Sequence, residues 1–113
     1  MPFIHTTVST KLDNAKRANL SKAFKAICRE ALGKPEDFVM TAFNDDTPIE
    51  FQNSTEPAAH IRVEVLGTYA PTAPAKVTPA ITAAVAKECG IPAARIYVLY
   101  FCTPYVGWNG SNF

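Results

Sequence analysis

Apolar residues fall into four short runs with strand character and recur at helical spacing in two longer stretches. Phe3 to Val8 is rich in β-branched and aromatic residues, which favour extended backbone. From Asp13 onward, Leu20, Phe24, Ile27, Cys28 and Ala31 recur every three or four positions, the period of one buried helical face, with Asp13 placed as an N-cap. Gly33 ends this helix, Pro35 prevents its continuation, and Phe38 to Phe43 reads as a second strand. The same order then returns. A strand at His60 to Leu66 precedes a helix carrying Val77, Ile81, Ala84 and Val85, then Gly90, Pro92 and a strand at Ile96 to Phe101. Gly33-Lys34-Pro35 and Gly90-Ile91-Pro92 are 57 residues apart, as are Phe3 and His60. Matching offsets predict an internal duplication, with halves 2–57 and 58–113 inside a single domain of residues 1–113. Each β-α-β crossover makes its two strands parallel and right-handed, so both helices land on one face. The predicted fold is an α/β, or α+β, two-layer sandwich: a four-stranded mixed sheet under two helices.

The other face of that sheet needs cover. In the third strand Ile61, Val63 and Val65 alternate with His60, Arg62 and Glu64, a one-sided pattern. In the last strand Ile96, Val98 and Tyr100 alternate with Tyr97, Leu99 and Phe101, so both sides are apolar. A second layer supplied by another copy of the chain is the economical expectation. The C-terminal stretch Val106 to Phe113 carries Trp108 and Phe113 and is expected to pair with a neighbour's sheet edge.

Length and composition narrow the function classes. At 113 residues the chain is one domain, and 48% hydrophobic with 19% charged residues is globular rather than disordered. The formal charge is +1, with basic and acidic residues mixed and no basic run longer than Lys16-Arg17, which argues against nucleic-acid or membrane-surface binding. Cys28, Cys89 and Cys102 lack the spacing of a zinc site and read as reduced thiols. Nothing at the start of the chain has the pattern of a signal peptide, so cytoplasmic synthesis is expected and any extracellular role would require a non-classical exit. The acceptor patterns Asn53-Ser54-Thr55 and Asn109-Gly110-Ser111 carry no weight without secretory entry.

Pro2 changes the picture. Removal of Met1 leaves a secondary amine at the chain terminus, and burial of such an amine lowers its pKa toward neutrality, where it can serve as a general base. His5 and His60 read as ordinary strand residues, and Asp45 to Pro48 as a solvated turn.

The Met-Pro start, the duplicated β-α-β, Gly33-Lys34-Pro35, Ser54-Thr55-Glu56-Pro57, Arg95-Ile96-Tyr97-Val98 and Val106-Gly107-Trp108-Asn109 together resemble the macrophage migration inhibitory factor family of the tautomerase superfamily. The likeness spans nearly the whole chain and is strongest to members from protozoan parasites. It implies a homotrimer with Pro2 in a pocket at each subunit interface, catalysing keto-enol tautomerisation of phenylpyruvate-type 2-oxo acids and dopachrome without a cofactor or metal. It also implies secretion as a cytokine-like factor and a host receptor such as the invariant chain. By the same resemblance Lys34 binds the substrate carboxylate and Leu66 contributes main-chain hydrogen bonding. Tyr97 reaches in from the adjacent subunit, and Phe3, Phe38, Val106, Trp108 and Phe113 form an apolar wall.

The chain departs from the vertebrate pattern in three ways. Leu99 replaces an asparagine and Phe38 a tyrosine, which removes polar contacts and makes the pocket greasier. Ala58 and Ile61 replace the Cys-x-x-Cys associated with thiol oxidoreductase activity, so that activity is not expected here. The competing expectation is a secreted interaction protein with a weak or vestigial pocket.

Overall fold

The computed structural model describes residues 1–113. Its elements are β1 (Pro2–Val8), α1 (Asn14–Leu32), β2 (Met40–Asn44), β3 (Ala59–Leu66), α2 (Ala73–Cys89), β4 (Ile96–Thr103), β5 (Gly107–Trp108) and β6 (Ser111–Asn112). Strands β1 to β4 form one mixed sheet in the order β2-β1-β3-β4. β1 runs parallel to β2 and β3 parallel to β4, while β1 and β3 meet antiparallel at the centre. Each β-α-β unit therefore contributes half of the sheet, as the spacing of the repeats predicts.

Both helices cover the same sheet face. Leu20, Phe24 and Cys28 of α1 and Val77, Ile81 and Val85 of α2 join Ile4, Val8, Ile61, Val63 and Val65 in a single core cluster. Their burial drives the two-layer packing, since helix propensity alone is a weak force in water. Asp13 caps α1 by accepting a hydrogen bond from the Lys16 N–H at 2.8 Å. The cap is exposed, so Asp13→Ala is expected to cost about 1 kcal/mol in a denaturant melt; a change near zero would show that α1 is held by packing alone. At the far end Gly33 adopts a left-handed φ of 63° and the Lys34 N–H closes back onto the Cys28 carbonyl at 3.1 Å. That closure sets Lys34 directly beyond the helix C-terminus.

Local features depart from the sequence expectation or add to it. Phe38 is not in a strand: it ends a single 3-10 turn, Glu36–Phe38, and β2 starts two residues later. The turn forms because Phe38 N–H and Val39 N–H find the carbonyls of Pro35 and Glu36. Pro79 lies inside α2 without ending it, because its ring is exposed while Val77, Ile81 and Val85 anchor the opposite face. The C-terminal stretch closes on itself as a β5–β6 hairpin. Asn109 and Gly110, at φ 53° and 79°, supply the two left-handed residues that a tight two-residue hairpin turn requires.

On the sheet face away from the helices, β4 presents Tyr97, Leu99 and Phe101. Tyr97 is 56% and Phe101 43% exposed, so the expected uncovered apolar side of β4 is present in the single chain. Arg62 covers part of it, its guanidinium lying 4.4 Å from the Phe101 ring centre.

Candidate functional site

Pro2 opens β1 on the buried, helix-facing side, opposite Val65 in β3. The alternation of the strand dictates this: Pro2, Ile4, Thr6 and Val8 share one face, and all four are buried. The chain terminus therefore meets the folded core directly. Burial, and next the nearby Lys34 ammonium, hold the terminal amine below its ordinary value of 8.0. In the untrimmed chain that amine belongs to Met1, and loss of Met1 transfers it to the Pro2 nitrogen. Cys28 is the buried thiol beneath this end of β1. Desolvation pushes its pKa up to about 11, so it is a neutral neighbour at physiological pH.

A cavity of about 280 Å³ opens beside the terminus, lined by Met1, Asp37, Phe38, Val39, Met40 and Trp108. Phe38 and Trp108 meet edge to face at 6.0 Å, and Phe113 stacks on Trp108 at 6.1 Å. Val106 ties the hairpin shut, its carbonyl accepting from the Phe113 N–H at 3.0 Å. The 3-10 turn that displaces Phe38 from β2 is what turns its ring toward Trp108. Leu66 ends β3 one residue beyond the partner of Pro2, so its main chain lies at the same end of the sheet. Phe3 pairs with Met40 and stacks on His5 at 5.9 Å on the sheet face away from the helices, outside the lining of the cavity.

Tyr97 is elsewhere. It pairs with His60, which pairs with Thr7, so it stands two strands across from β1 and five residues, roughly 17 Å, along the strand direction from Pro2. One chain thus gathers Pro2, Lys34, Leu66, Phe38, Val106, Trp108 and Phe113 at one end and leaves Tyr97 at the other. A wider recess of about 500 Å³ lies between Ser9-Thr10 and the Asp46–Pro57 segment, away from the amine and with a single hydrophobic residue in its lining. Nowhere do three or more His, Cys, Asp or Glu side chains gather as they would to hold a metal ion.

Asp45 is not the freely solvated turn residue that its sequence setting predicts. Its carboxylate accepts from the Leu12 N–H at 2.8 Å and faces Arg17 at 3.5 Å, and the Leu12 bond above all lowers its pKa. It is a fastener between the end of β2 and the segment entering α1. Nothing in its sequence neighbourhood signals this, since the partners are 33 and 28 positions away.

The profile of the macrophage migration inhibitory factor family matches residues 1–113. Macrophage migration inhibitory factor of Xenopus laevis is 28% identical over 115 residues, spanning all of this chain and 99% of that protein. The crystal structure of Leishmania major MIF2 is 65% identical and superimposes with a TM-score of 0.97, covering all of this chain and 97% of that one. A homologue from Prochlorococcus marinus is 30% identical, with a TM-score of 0.90 over 98% of both chains. These matches run from the first strand to the C-terminal hairpin, and the chain belongs to the macrophage migration inhibitory factor family.

Proposed function

We propose that the protein is a cofactor-independent keto-enol tautomerase of phenylpyruvate-type 2-oxo acids that acts as a homotrimer with Pro2, freed by loss of Met1, as its general base. The observation that carries this reading is the buried start of β1, where burial and Lys34 together hold a terminal amine below its ordinary pKa beside an aromatic-lined cavity. A base for this reaction needs a lone pair at working pH and protection from water, and both come from that placement.

In the keto-to-enol direction the Pro2 nitrogen takes a proton from the carbon next to the carbonyl. The C–H electron pair becomes the C=C bond, the C=O π pair moves onto oxygen, and that oxygen takes up a proton from solvent to become the enol hydroxyl. In the reverse direction the ammonium returns its proton to carbon. Lys34 would pair with the substrate carboxylate, main-chain groups at Leu66 would take further hydrogen bonds, and Phe38 and Trp108 would hold the aromatic ring. Phe38 and Leu99 carry no hydroxyl or amide, which favours unsubstituted aromatic acids over hydroxylated ones. Tyr97 is too far from Pro2 in its own chain to join this pocket, so it would enter from a neighbour. The exposed Tyr97 and Phe101 on β4 agree with such an assembly. Secretion by a non-classical route and a cytokine-like role through a receptor such as the invariant chain extend this reading.

The test is the rate of phenylpyruvate enol-to-keto conversion by Met1-trimmed protein, with its mass in solution measured alongside. Conversion well above the spontaneous rate by a trimer supports the enzyme. A trimer that leaves the rate unchanged would favour an interaction protein with a vestigial pocket.

Lys34→Ala gives a sharper readout. Loss of a charge-assisted contact is expected to raise KM about tenfold or more. Lys34 also lowers the amine pKa, so the acidic limb of the pH profile of kcat/KM should move to higher pH in this variant. A limb that stays in place would separate Lys34 from the base.

A further inference from the structure

Arg95 is a charged side chain that the proposed chemistry does not use, yet it is only 8% exposed and has no carboxylate partner. Burying an unpaired cation is costly unless every donor is satisfied. Here four of the five guanidinium N–H groups donate to main-chain carbonyls of one loop. Nε donates to Pro57 O at 3.0 Å, Nη1 to Phe51 O at 2.9 Å, and Nη2 to Ser54 O and Glu56 O at 3.1 and 3.0 Å. The loop needs such a clamp, because Gln52 and Asn53 both sit at left-handed φ (53° and 58°) and its internal pairing is the Phe51–Ser54 bridge.

The clamp leads to Tyr97. The Phe51 ring centre lies 5.5 Å from the Arg95 guanidinium, and the same ring meets the Tyr97 ring at 5.0 Å and 67°. All three residues line one narrow cavity of about 170 Å³ together with His60 and Ile49. Tyr97 itself is half exposed and its hydroxyl makes no hydrogen bond within the chain, so its ring orientation depends on what flanks it.

We propose that Arg95 is a positioning residue: by gathering the carbonyls of residues 51–57 it fixes the Phe51 ring, and the Phe51 ring fixes the Tyr97 phenol. The consequence for substrate binding rests on the tautomerase reading, in which Tyr97 completes a neighbour's pocket; the positioning itself does not. A planar fork that meets four carbonyls cannot be replaced by the single ammonium of lysine. Arginine here therefore serves geometry rather than charge.

The experiment uses the full-length trimmed protein with ring-13C tyrosine, in wild type and in Arg95→Lys, Arg95→Gln and Phe51→Leu, each first checked for unchanged mass in solution. The Tyr97 signal is identified among the four tyrosines by its loss in Tyr97→Phe. Ring order at Tyr97 is expected to fall in the folded variants while the other three rings are unchanged. With phenylpyruvate, KM should rise about three- to tenfold with kcat within about twofold, and the rise should vanish on a Tyr97→Phe background. Unchanged Tyr97 order in Phe51→Leu, or in whichever Arg95 variants fold, overturns the proposal, even where melting temperature drops. So does an unchanged KM in an active enzyme. If wild type has no tautomerase activity, the enzymatic reading falls and the ring order alone decides the positioning.

Discussion

On the tautomerase reading, an alanine inserted ahead of Pro2 is expected to lower kcat/KM for phenylpyruvate by about 10²- to 10⁴-fold, the usual contribution of a positioned general base. Methionine removal then exposes an alanine amine, and the Pro2 nitrogen becomes part of a peptide bond with no basic lone pair. The rest of the molecule has little reason to change. Pro2 keeps its place opposite Val65, and the core below it is built from Ile4, Val8 and the helices. The expected result is therefore an unchanged melting temperature and mass with activity lost. Untrimmed protein should behave similarly, because Met1 lines the cavity that substrate would enter. If the inserted variant retains more than about a tenth of the rate, the base lies elsewhere.

Phe24→Ala has the largest expected effect on stability. Phe24 is fully buried at the centre of the inward face of α1 and stacks on Phe43 of β2 at 6.4 Å. Truncation removes that contact and leaves a cavity between helix and sheet that close packing cannot fill, at a cost of about 3–5 kcal/mol. Against a total of roughly 5–15 kcal/mol this threatens folding itself. A drop of more than about 10 °C in melting temperature is expected for a domain of this size. If the chain assembles, its apparent stability depends on concentration, so wild type and variant must be compared at the same one. A loss below about 1 kcal/mol would contradict the packing of α1 described above.

Legibility followed the range of the interaction. The helical face Leu20-Phe24-Cys28 and the left-handed stops at Gly33 and Gly90 are local and periodic, so spacing alone revealed them. The two-sided apolar character of β4 was equally plain, and it pointed to the face left uncovered. Phe38 was misplaced in a strand because a single 3-10 turn has no periodicity to recognise. Its position matters, since the turn aims the ring at Trp108. The C-terminal stretch forms a hairpin through its own Asn109-Gly110 turn, and within the single chain the outer edges of that hairpin are unpaired.

Arg95 shows the limit most clearly. In a sequence an arginine reads as a surface cation, and what buries this one is a set of carbonyls 38 to 44 positions earlier. The order of the elements, the helix ends and the candidate base follow from the sequence by itself, because each rests on a local pattern, and the duplication follows because that pattern returns 57 residues later. The tertiary structure alone decided the pKa-lowering setting of the terminal amine, the aromatic cavity beside it, the separation of Tyr97 from Pro2 and the clamp at Arg95. Those depend on distances between residues far apart in the chain, which no local propensity encodes and which only close packing of the sheet against its helices sets.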